Sequence, residues 1–115
     1  MHELSVCLSL LQQLQGIAAE QRAQRITRIE LGVGPLSGVE PELLRNAWPI
    51  AAAGTVAVDA ELSIDETGIV VHCRSCNADS AARANRLVCG ECGDFRTSLV
   101  SGDEMILKRV EFETA

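Results

Sequence analysis

The sequence predicts an α+β fold, in which two helices pack on a small mixed three-stranded sheet and a four-cysteine ribbon is inserted as a subdomain. Apolar residues recur first at helical spacing and later alternate as they do in strands. Four of the five cysteines form two Cys-x-x-Cys pairs with twelve residues between the pairs. With 115 residues and 47% apolar side chains, the chain can build one ordinary core.

The first helix is predicted from about residue 4 to residue 21. Its apolar residues lie three or four positions apart and so share one face. They are Leu4, Cys7, Leu8, Leu11, Leu14 and Ala18. Because Cys7 lies on this stripe, we interpret it as a small buried hydrophobe in preference to a metal ligand or a nucleophile.

A strand is predicted next, over residues 25–34. Ile29, Leu31 and Val33 alternate with charged or small residues, so one face of the strand should be covered by a helix. The Gly34-Pro35 pair ends the strand.

The second helix should begin at Pro41, because the first helical turn tolerates a residue without an N–H group. Apolar residues then follow at helical spacing. They are Leu44, Ala47, Trp48 and Ala51. Pro49 interrupts this pattern, so the helix is expected to kink or end near Trp48.

One further strand is predicted before the cysteine pairs and one after them. Ala60, Leu62 and Ile64 alternate with polar residues in the first. In the last strand, the alternating residues are Ile106, Lys108, Val110 and Phe112. Since this strand should return to the first sheet, we expect an α+β domain formed by residues 1–66 and 99–115, with the ribbon domain at residues 67–98.

The ribbon's cysteines, Cys73, Cys76, Cys89 and Cys92, have the spacing of a closed tetrahedral zinc site. Each pair can aim two thiolates at one ion about 2.3 Å away. Disulfides are disfavoured because the amino terminus lacks the pattern of a secretory leader. Iron uses the same thiolate chemistry and remains an alternative. His72 could replace one thiolate, but four cysteines make that unnecessary.

The amino terminus offers a second set of metal ligands. A residue as bulky as His2 should block removal of the initiating methionine, so Met1 is retained. The Met1 amine, the His2 amide nitrogen and the His2 imidazole can form fused chelate rings, which the Glu3 amide nitrogen can extend. Such nitrogen-rich coordination suits Ni(II) or Cu(II). On these residues alone, a simply solvated histidine is the alternative.

Charge and composition disfavour several classes of function. The net charge of -6 and only three aromatic residues argue against a nucleic-acid binder. No apolar run approaches the roughly 20 residues that span a bilayer, so a cytoplasmic protein is expected. We also expect no enzyme, because there is no Gly-rich phosphate loop and no Ser-His-Asp set, and a four-thiolate site leaves no position for substrate. A zinc-ribbon interaction module remains the rival to a metal carrier.

Taken together, these residues resemble the HypA/HybF family of nickel metallochaperones for [NiFe]-hydrogenase maturation. The likeness covers the whole chain. It begins with Met1-His2-Glu3, continues through the segment Leu31–Glu42 with its Ser-Gly-Val-Glu-Pro-Glu run, and ends with the cysteine pairs before a charged strand.

The resemblance implies that His2 anchors nickel with help from the backbone nitrogens of Met1, His2 and Glu3, while the four cysteines hold structural zinc. It further implies delivery of nickel toward the hydrogenase large subunit in cooperation with a maturation GTPase, and urease maturation as a further role in some relatives. No nucleic acid or membrane partner is expected.

Overall fold

A computed structural model of the chain describes residues 2–114, which fold into two helices and two small sheets. The α+β class predicted from the sequence is confirmed. In chain order the elements are α1 (Glu3–Gln21), β1 (Ala23–Val33), α2 (Pro41–Ala52), β2 (Glu61–Glu66), β3 (Ile69–Cys73), β4 (Asp79–Ala82), β5 (Thr97–Ser101) and β6 (Met105–Thr114). The molecule is elongated, with extents of 55, 28 and 17 Å. No helix within residues 2–114 is long and apolar enough to cross a membrane.

The first sheet has the strand order β2-β1-β6, with β1 parallel to β2 and antiparallel to β6. A parallel pair cannot be joined by a tight turn, so β1 and β2 require a crossover connection, which α2 supplies. This is the mixed three-stranded sheet that the sequence predicts.

The core lies between this sheet and the two helices. Strand β1 contributes Ile26, Ile29, Leu31 and Val33, all nearly inaccessible to solvent. The opposite face of the sheet is open and polar. Arg28 on β1 approaches Glu61 on β2 at 3.5 Å, and further ion pairs cross the same face. One face of the sheet is therefore apolar and the other charged, as the alternation of residues in β1 indicates.

Helix α1 buries a face slightly different from the predicted one. Cys7 is fully buried, which confirms it as a core residue, and Leu10 is also buried. Leu4 and Leu8, which belong to the predicted apolar face, are 42% and 51% exposed, so the buried face does not extend to them. Leucines occur on both sides of the stripe, and only the position of the packed partners decides which side is covered. The helix ends at Gln21. The next residue, Arg22, has a left-handed backbone (φ 55°), and its amide donates to the carbonyls of Ala18 and Ala19.

Helix α2 begins at Pro41, as predicted, but it does not end near Trp48. It continues through Pro49 to Ala52. Proline at this position removes one intrahelical N–H donor. The last turn is nevertheless packed, because Ala51 and Ala52 are buried in the core beside Trp48. The free energy gained by burying this turn outweighs the tendency of proline to end a helix.

The prediction for β6 is correct only in its second half. Val110 and Phe112 pack against the core, but Ile106 is 51% exposed and Met105 and Leu107 take the inward positions. The pairing of β6 with β1 contains a register shift between Glu30 and Leu31. An extra residue at such a bulge reverses which side chains face the core.

The second sheet has the order β4-β3-β5 and carries the cysteine pairs. Strands β4 and β5 each pair with β3 in the antiparallel orientation. Ile69, Val71 and Cys73 point to the buried side of β3 at alternate positions. Two connections join it to the first sheet, residues 67–68 and residues 102–104.

Candidate metal centres

The four cysteines predicted as a metal site lie together at one end of the second sheet. Their sulfur atoms all lie within 4.8 Å of one another. The Sγ atoms of Cys73 and Cys92 are 3.6 Å apart, as are those of Cys76 and Cys89. A tetrahedron with Zn–S bonds of 2.3 Å has edges of about 3.8 Å. The sulfur cluster therefore has the size that a zinc ion requires.

Backbone amides favour the thiolate form of the first cysteine in each pair. The Cys76 amide donates to the Cys73 sulfur at 3.5 Å, and this hydrogen bond lowers the Cys73 pKa. The Cys92 and Glu91 amides donate to the Cys89 sulfur at 3.4 and 3.3 Å. These two donors lower the pKa of Cys89 to about 6. Both turns are thus arranged to stabilise negative sulfur, which is the metal-binding form.

The second cysteine of the first pair differs from the first. Although the Ala78 amide lowers its pKa, the hydrogen bond with the Cys89 sulfur and desolvation raise the pKa of Cys76 to about 12. Adjacent sulfurs cannot all carry negative charge without a compensating ion. Because a cysteine binds a metal as the thiolate, binding of a metal by these four sulfurs should release protons.

Two polar residues that the sequence analysis missed connect the two cysteine turns. The Ser75 hydroxyl donates to the Asp94 carboxylate, which also accepts from the Arg96 side chain at 3.0 Å. The hydrogen bonds from Arg96 and Ser75 hold the pKa of Asp94 well below its usual range. Ser75 belongs to the first turn, whereas Asp94 follows the second. Their contact therefore fixes the turns relative to each other, but sequence spacing gave no sign of it.

His72 lies outside the sulfur cluster. Its Nδ1 is 2.6 Å from the carboxylate of Asp79 on the neighbouring strand β4. Of the residues that the structure describes, the cluster contains only the four cysteines.

His2 lies immediately before α1, at the other predicted metal site. Its side chain is 57% exposed and its Nε2 is 3.6 Å from the Glu3 carboxylate. Glu3 is buried, and its carboxylate accepts a hydrogen bond from the Glu40 amide at 3.4 Å. The start of α1 is thereby attached to the segment just before α2. Met1, whose nitrogen belongs to the predicted chelate, lies outside the described residues.

The start of α1 beside His2 has no side-chain cap. His2 is the residue that precedes the first turn, and its side chain makes no capping hydrogen bond. The first four amides of any helix lack intrahelical partners. A cleft of about 300 Å³ opens beside His2, between α1 and the sheet. Its lining includes Ser5, Ser9, Met105 and Leu107.

The two connections between the sheets cross at a tight junction, which the sequence also did not reveal. The Glu104 carboxylate accepts from the Gly102 amide at 2.7 Å and from the Thr67 hydroxyl at 2.8 Å, and these bonds lower its pKa. The Gly34 amide donates to the Glu104 carbonyl at 2.8 Å, and the Leu36 amide donates to the Gly102 carbonyl at 2.7 Å. The loop after β1 is thus joined directly to the base of the ribbon.

Comparison with protein families gives a match over residues 1–112 to the family described as "Hydrogenase/urease nickel incorporation, metallochaperone, hypA". Similar proteins include the hydrogenase maturation factor HypA of Nitrosospira multiformis, which is 40% identical over 99% of both chains. HypA of Chlorobium limicola is 40% identical over 98% of this chain and 97% of its own length. HypA of Aquifex aeolicus is 37% identical over 98% of both.

Solved structures of similar fold agree with these matches. The solution structure of the Ni metallochaperone HypA from Helicobacter pylori superposes with a TM-score of 0.72 over the whole of both chains, at 27% identity. A second solution structure, titled as that of HypA protein, gives a TM-score of 0.76 at 27% identity, with coverage of 100% of this chain and 98% of that one.

Proposed function

This chain belongs to the HypA family of hydrogenase/urease nickel incorporation metallochaperones, and we propose on that premise that it binds Ni(II) at its amino terminus and delivers it for [NiFe]-hydrogenase maturation. The observation that carries the proposal is the exposed His2 side chain at an uncapped helix start. The role is that of a carrier and not of a catalyst.

We propose a chelate made of the His2 imidazole and the backbone nitrogens of Met1, His2 and Glu3. The Glu3 carboxylate lies 3.6 Å from Nε2 of His2, so Nδ1 is the imidazole nitrogen that remains for the chelate. Nδ1 is also the ring nitrogen that closes a six-membered ring with the His2 amide nitrogen. Because the ligands must lose protons to bind, nickel affinity should fall as the pH falls.

For Cys73, Cys76, Cys89 and Cys92 we propose structural zinc. The sulfur spacing matches a tetrahedral site, and four thiolates leave no open coordination position. Zinc binding would contribute to the folding free energy of the ribbon, on the order of 10 kcal/mol for a small zinc module.

We further propose two domains, a nickel-binding α+β domain and a zinc-ribbon domain. Since β5 pairs with β3, the ribbon's sheet extends to Ser101, beyond the limit of residue 98 expected from the sequence. A hydrogenase maturation GTPase and the large subunit of the hydrogenase are the proposed partners, with urease maturation proteins as a second destination. The proposed location is the cytoplasm.

The junction between the domains offers a route for coupling between the metal sites. Glu104 and Gly102 at the base of the ribbon hold the loop after β1. That loop continues to Glu40, whose amide bonds the Glu3 carboxylate beside His2. We therefore propose that loss of zinc changes nickel affinity. Unchanged nickel affinity across pH in a folded Cys73→Ala variant would contradict this coupling.

The proposed function is tested by calorimetric titration of nickel into zinc-loaded, untagged protein. His2→Ala and a variant with one residue added before Met1 should both lose the tight site, because one removes the imidazole and the other displaces the terminal amine. His72→Ala is the matched control, since His72 is the other of the two histidines and should leave the titration unchanged.

Nickel binding that is absent, or that survives both changes at the terminus, would exclude the terminal chelate. The chain would then be better described as a zinc-ribbon interaction module. That alternative predicts that removing the terminus leaves every partner interaction intact.

A further inference from the structure

The outer end of the ribbon exposes an aromatic ring. Phe95 is 77% exposed, more than any other large apolar residue in the described chain, and Leu87 is 37% exposed. Single exposed apolar residues are common on protein surfaces. What distinguishes Phe95 is the set of residues held around it.

Hydrogen bonds bring three separate segments together beside Phe95. The Arg74 amide donates to the carbonyl of Arg96 at 3.0 Å, and the Thr97 hydroxyl donates to the carbonyl of Leu87 at 2.7 Å. Residues 74, 87 and 95–97 are therefore neighbours at the end of the ribbon. Arg86 precedes Leu87 in the chain.

We call the surface that these segments form the ribbon patch. It consists of Phe95, Leu87, Arg74 and Arg86. Arg83 lies farther away, because Ala82 pairs with Ile69 at the junction end of the ribbon.

Within residues 2–114, the two arginines of the ribbon patch have no acidic partner. Arg96 is paired with Asp94 at 3.0 Å. Among residues 2–114, no carboxylate lies within 4.0 Å of the guanidinium groups of Arg74, Arg83 or Arg86. The charges of Arg74 and Arg86 in the ribbon patch therefore remain available to another molecule.

The charge of the ribbon also differs in sign from that of the rest of the molecule. Residues 72–98 contain four arginines and three acidic residues, a net charge of +1. The remaining residues contain six basic and thirteen acidic side chains, a net charge of -7. An acidic ligand would be repelled by most of this protein and attracted only to the ribbon.

We propose that the ribbon patch is a docking site for an acidic segment of a partner protein. Carboxylates of the segment pair with Arg74 and Arg86, and an apolar side chain of the same segment covers Phe95 and Leu87. Arginine and aromatic residues are the types that most often carry interface energy. Nucleic acid is disfavoured, because the whole chain carries -6 and the patch has a single ring for stacking.

The test uses fluorescence anisotropy with zinc-loaded full-length protein and a fluorescein-labelled peptide rich in glutamate and leucine. The same peptide with glutamine in place of glutamate should bind at least tenfold more weakly. Added salt should weaken binding of the glutamate peptide, because exposed charges are screened. Phe95→Ser and Arg86→Glu should each reduce affinity at least fivefold, with zinc content unchanged.

Ile50→Ser is the matched control, since Ile50 is 71% exposed but lies on α2, outside the ribbon patch. It should bind the peptide as the unmodified protein does. Nickel titration of the same variants should be unaffected, so that failure of this inference can be told apart from failure of the nickel proposal.

Three results would overturn the inference. Equal affinity of Phe95→Ser, Arg86→Glu and unmodified protein would place the peptide elsewhere. Tighter binding of a fluorescein-labelled oligothymidine than of the peptide would assign the patch to nucleic acid. Salt-sensitive self-association that Phe95→Ser abolishes, in sedimentation velocity, would make a second copy of this chain the occupant.

Discussion

The junction between the two sheets allows a sharp test at Gly34. A Cβ atom built on Gly34 would lie 2.2 Å from the Gly102 carbonyl oxygen and 2.4 Å from its carbonyl carbon. Both contacts are with backbone, which cannot rotate away as a side chain can. In a Gly34→Ala variant, the loop after β1 and the connection at residues 102–104 must therefore move apart.

The size of the effect follows from this geometry. Restoring an ordinary contact of about 3.4 Å requires a displacement of about 1 Å at the junction. Such overpacking typically costs 1–3 kcal/mol, and about 1 kcal/mol more is lost for each hydrogen bond that the movement breaks. The bonds at risk join Gly34 to Glu104 and Leu36 to Gly102. We expect a loss of about 3 kcal/mol in the free energy of unfolding.

The assay is urea unfolding of zinc-loaded protein, followed by the fluorescence of Trp48. Trp48 is the one tryptophan of the chain and is buried in the core of the α+β domain. Gly16→Ala is the matched control. Gly16 lies inside α1, and a Cβ there would have no atom within 4 Å. Alanine should stabilise this helix by about 0.5–1 kcal/mol.

Replacement of glycine by alanine should thus lower the free energy of unfolding at residue 34 and raise it at residue 16. If Gly34→Ala unfolds within 0.5 kcal/mol of the unmodified protein, the close approach of residues 34 and 102 does not constrain the fold. The proposed route between the metal sites would then lose its mechanical basis.

Three further predictions concern the core, the junction and the ribbon. Leu14→Ala should cost about 3 kcal/mol in urea unfolding because Leu14 is fully buried, whereas Leu8→Ala at a half-exposed site should cost under 1 kcal/mol. The Gly102 amide lowers the pKa of Glu104, so this carboxylate stabilises the fold above the unfolded value of about 4.3 and ceases to do so as the pH falls through its lower folded value. Glu104→Gln should therefore be less stable than the unmodified protein at pH 7, and the difference in the free energy of unfolding should shrink as the pH falls below about 4.3. Removal of zinc by a chelator should unfold the ribbon and so remove its contribution to the circular dichroism of the protein. Trp48 emission should stay unchanged, because the two sheets share no strand.

The sequence predicts best those features that depend on one segment at a time. Ile29, Leu31 and Val33 alternate within one strand, and all are buried as the alternation indicates. The cysteine spacing likewise fixes two turns locally, and four sulfurs converge in the structure as expected. The strand alternation and each Cys-x-x-Cys turn are local features, whereas the meeting of the two turns joins residues 13 and 19 positions apart.

Features that depend on a partner segment are the ones the sequence could not predict. The inward face of β6 is decided by a register shift against β1, which puts Leu107 and not Ile106 on the core side. Likewise, the contact of Ser75 with Asp94 and the bonds of Glu104 join residues far apart in the chain. The assignment of nickel to His2 remains a prediction for the same reason, since its ligands need an ion to come together.

The two proposed metal sites place opposite demands on the chain, and the fold separates them accordingly. In the proposed zinc site, four thiolates held by amide donors and by the Ser75–Asp94 contact would bind their ion inside a closed shell, so exchange there would require the ribbon to open. On our proposal, the nickel ligands lie at or before the first helical residue. The Glu3 carboxylate is fastened to the Glu40 amide, which fixes where the ordered helix begins. Nickel can therefore be released by rearrangement of residues that precede the first turn, without the cost of unfolding α1, and transfer to a partner need not disturb the core.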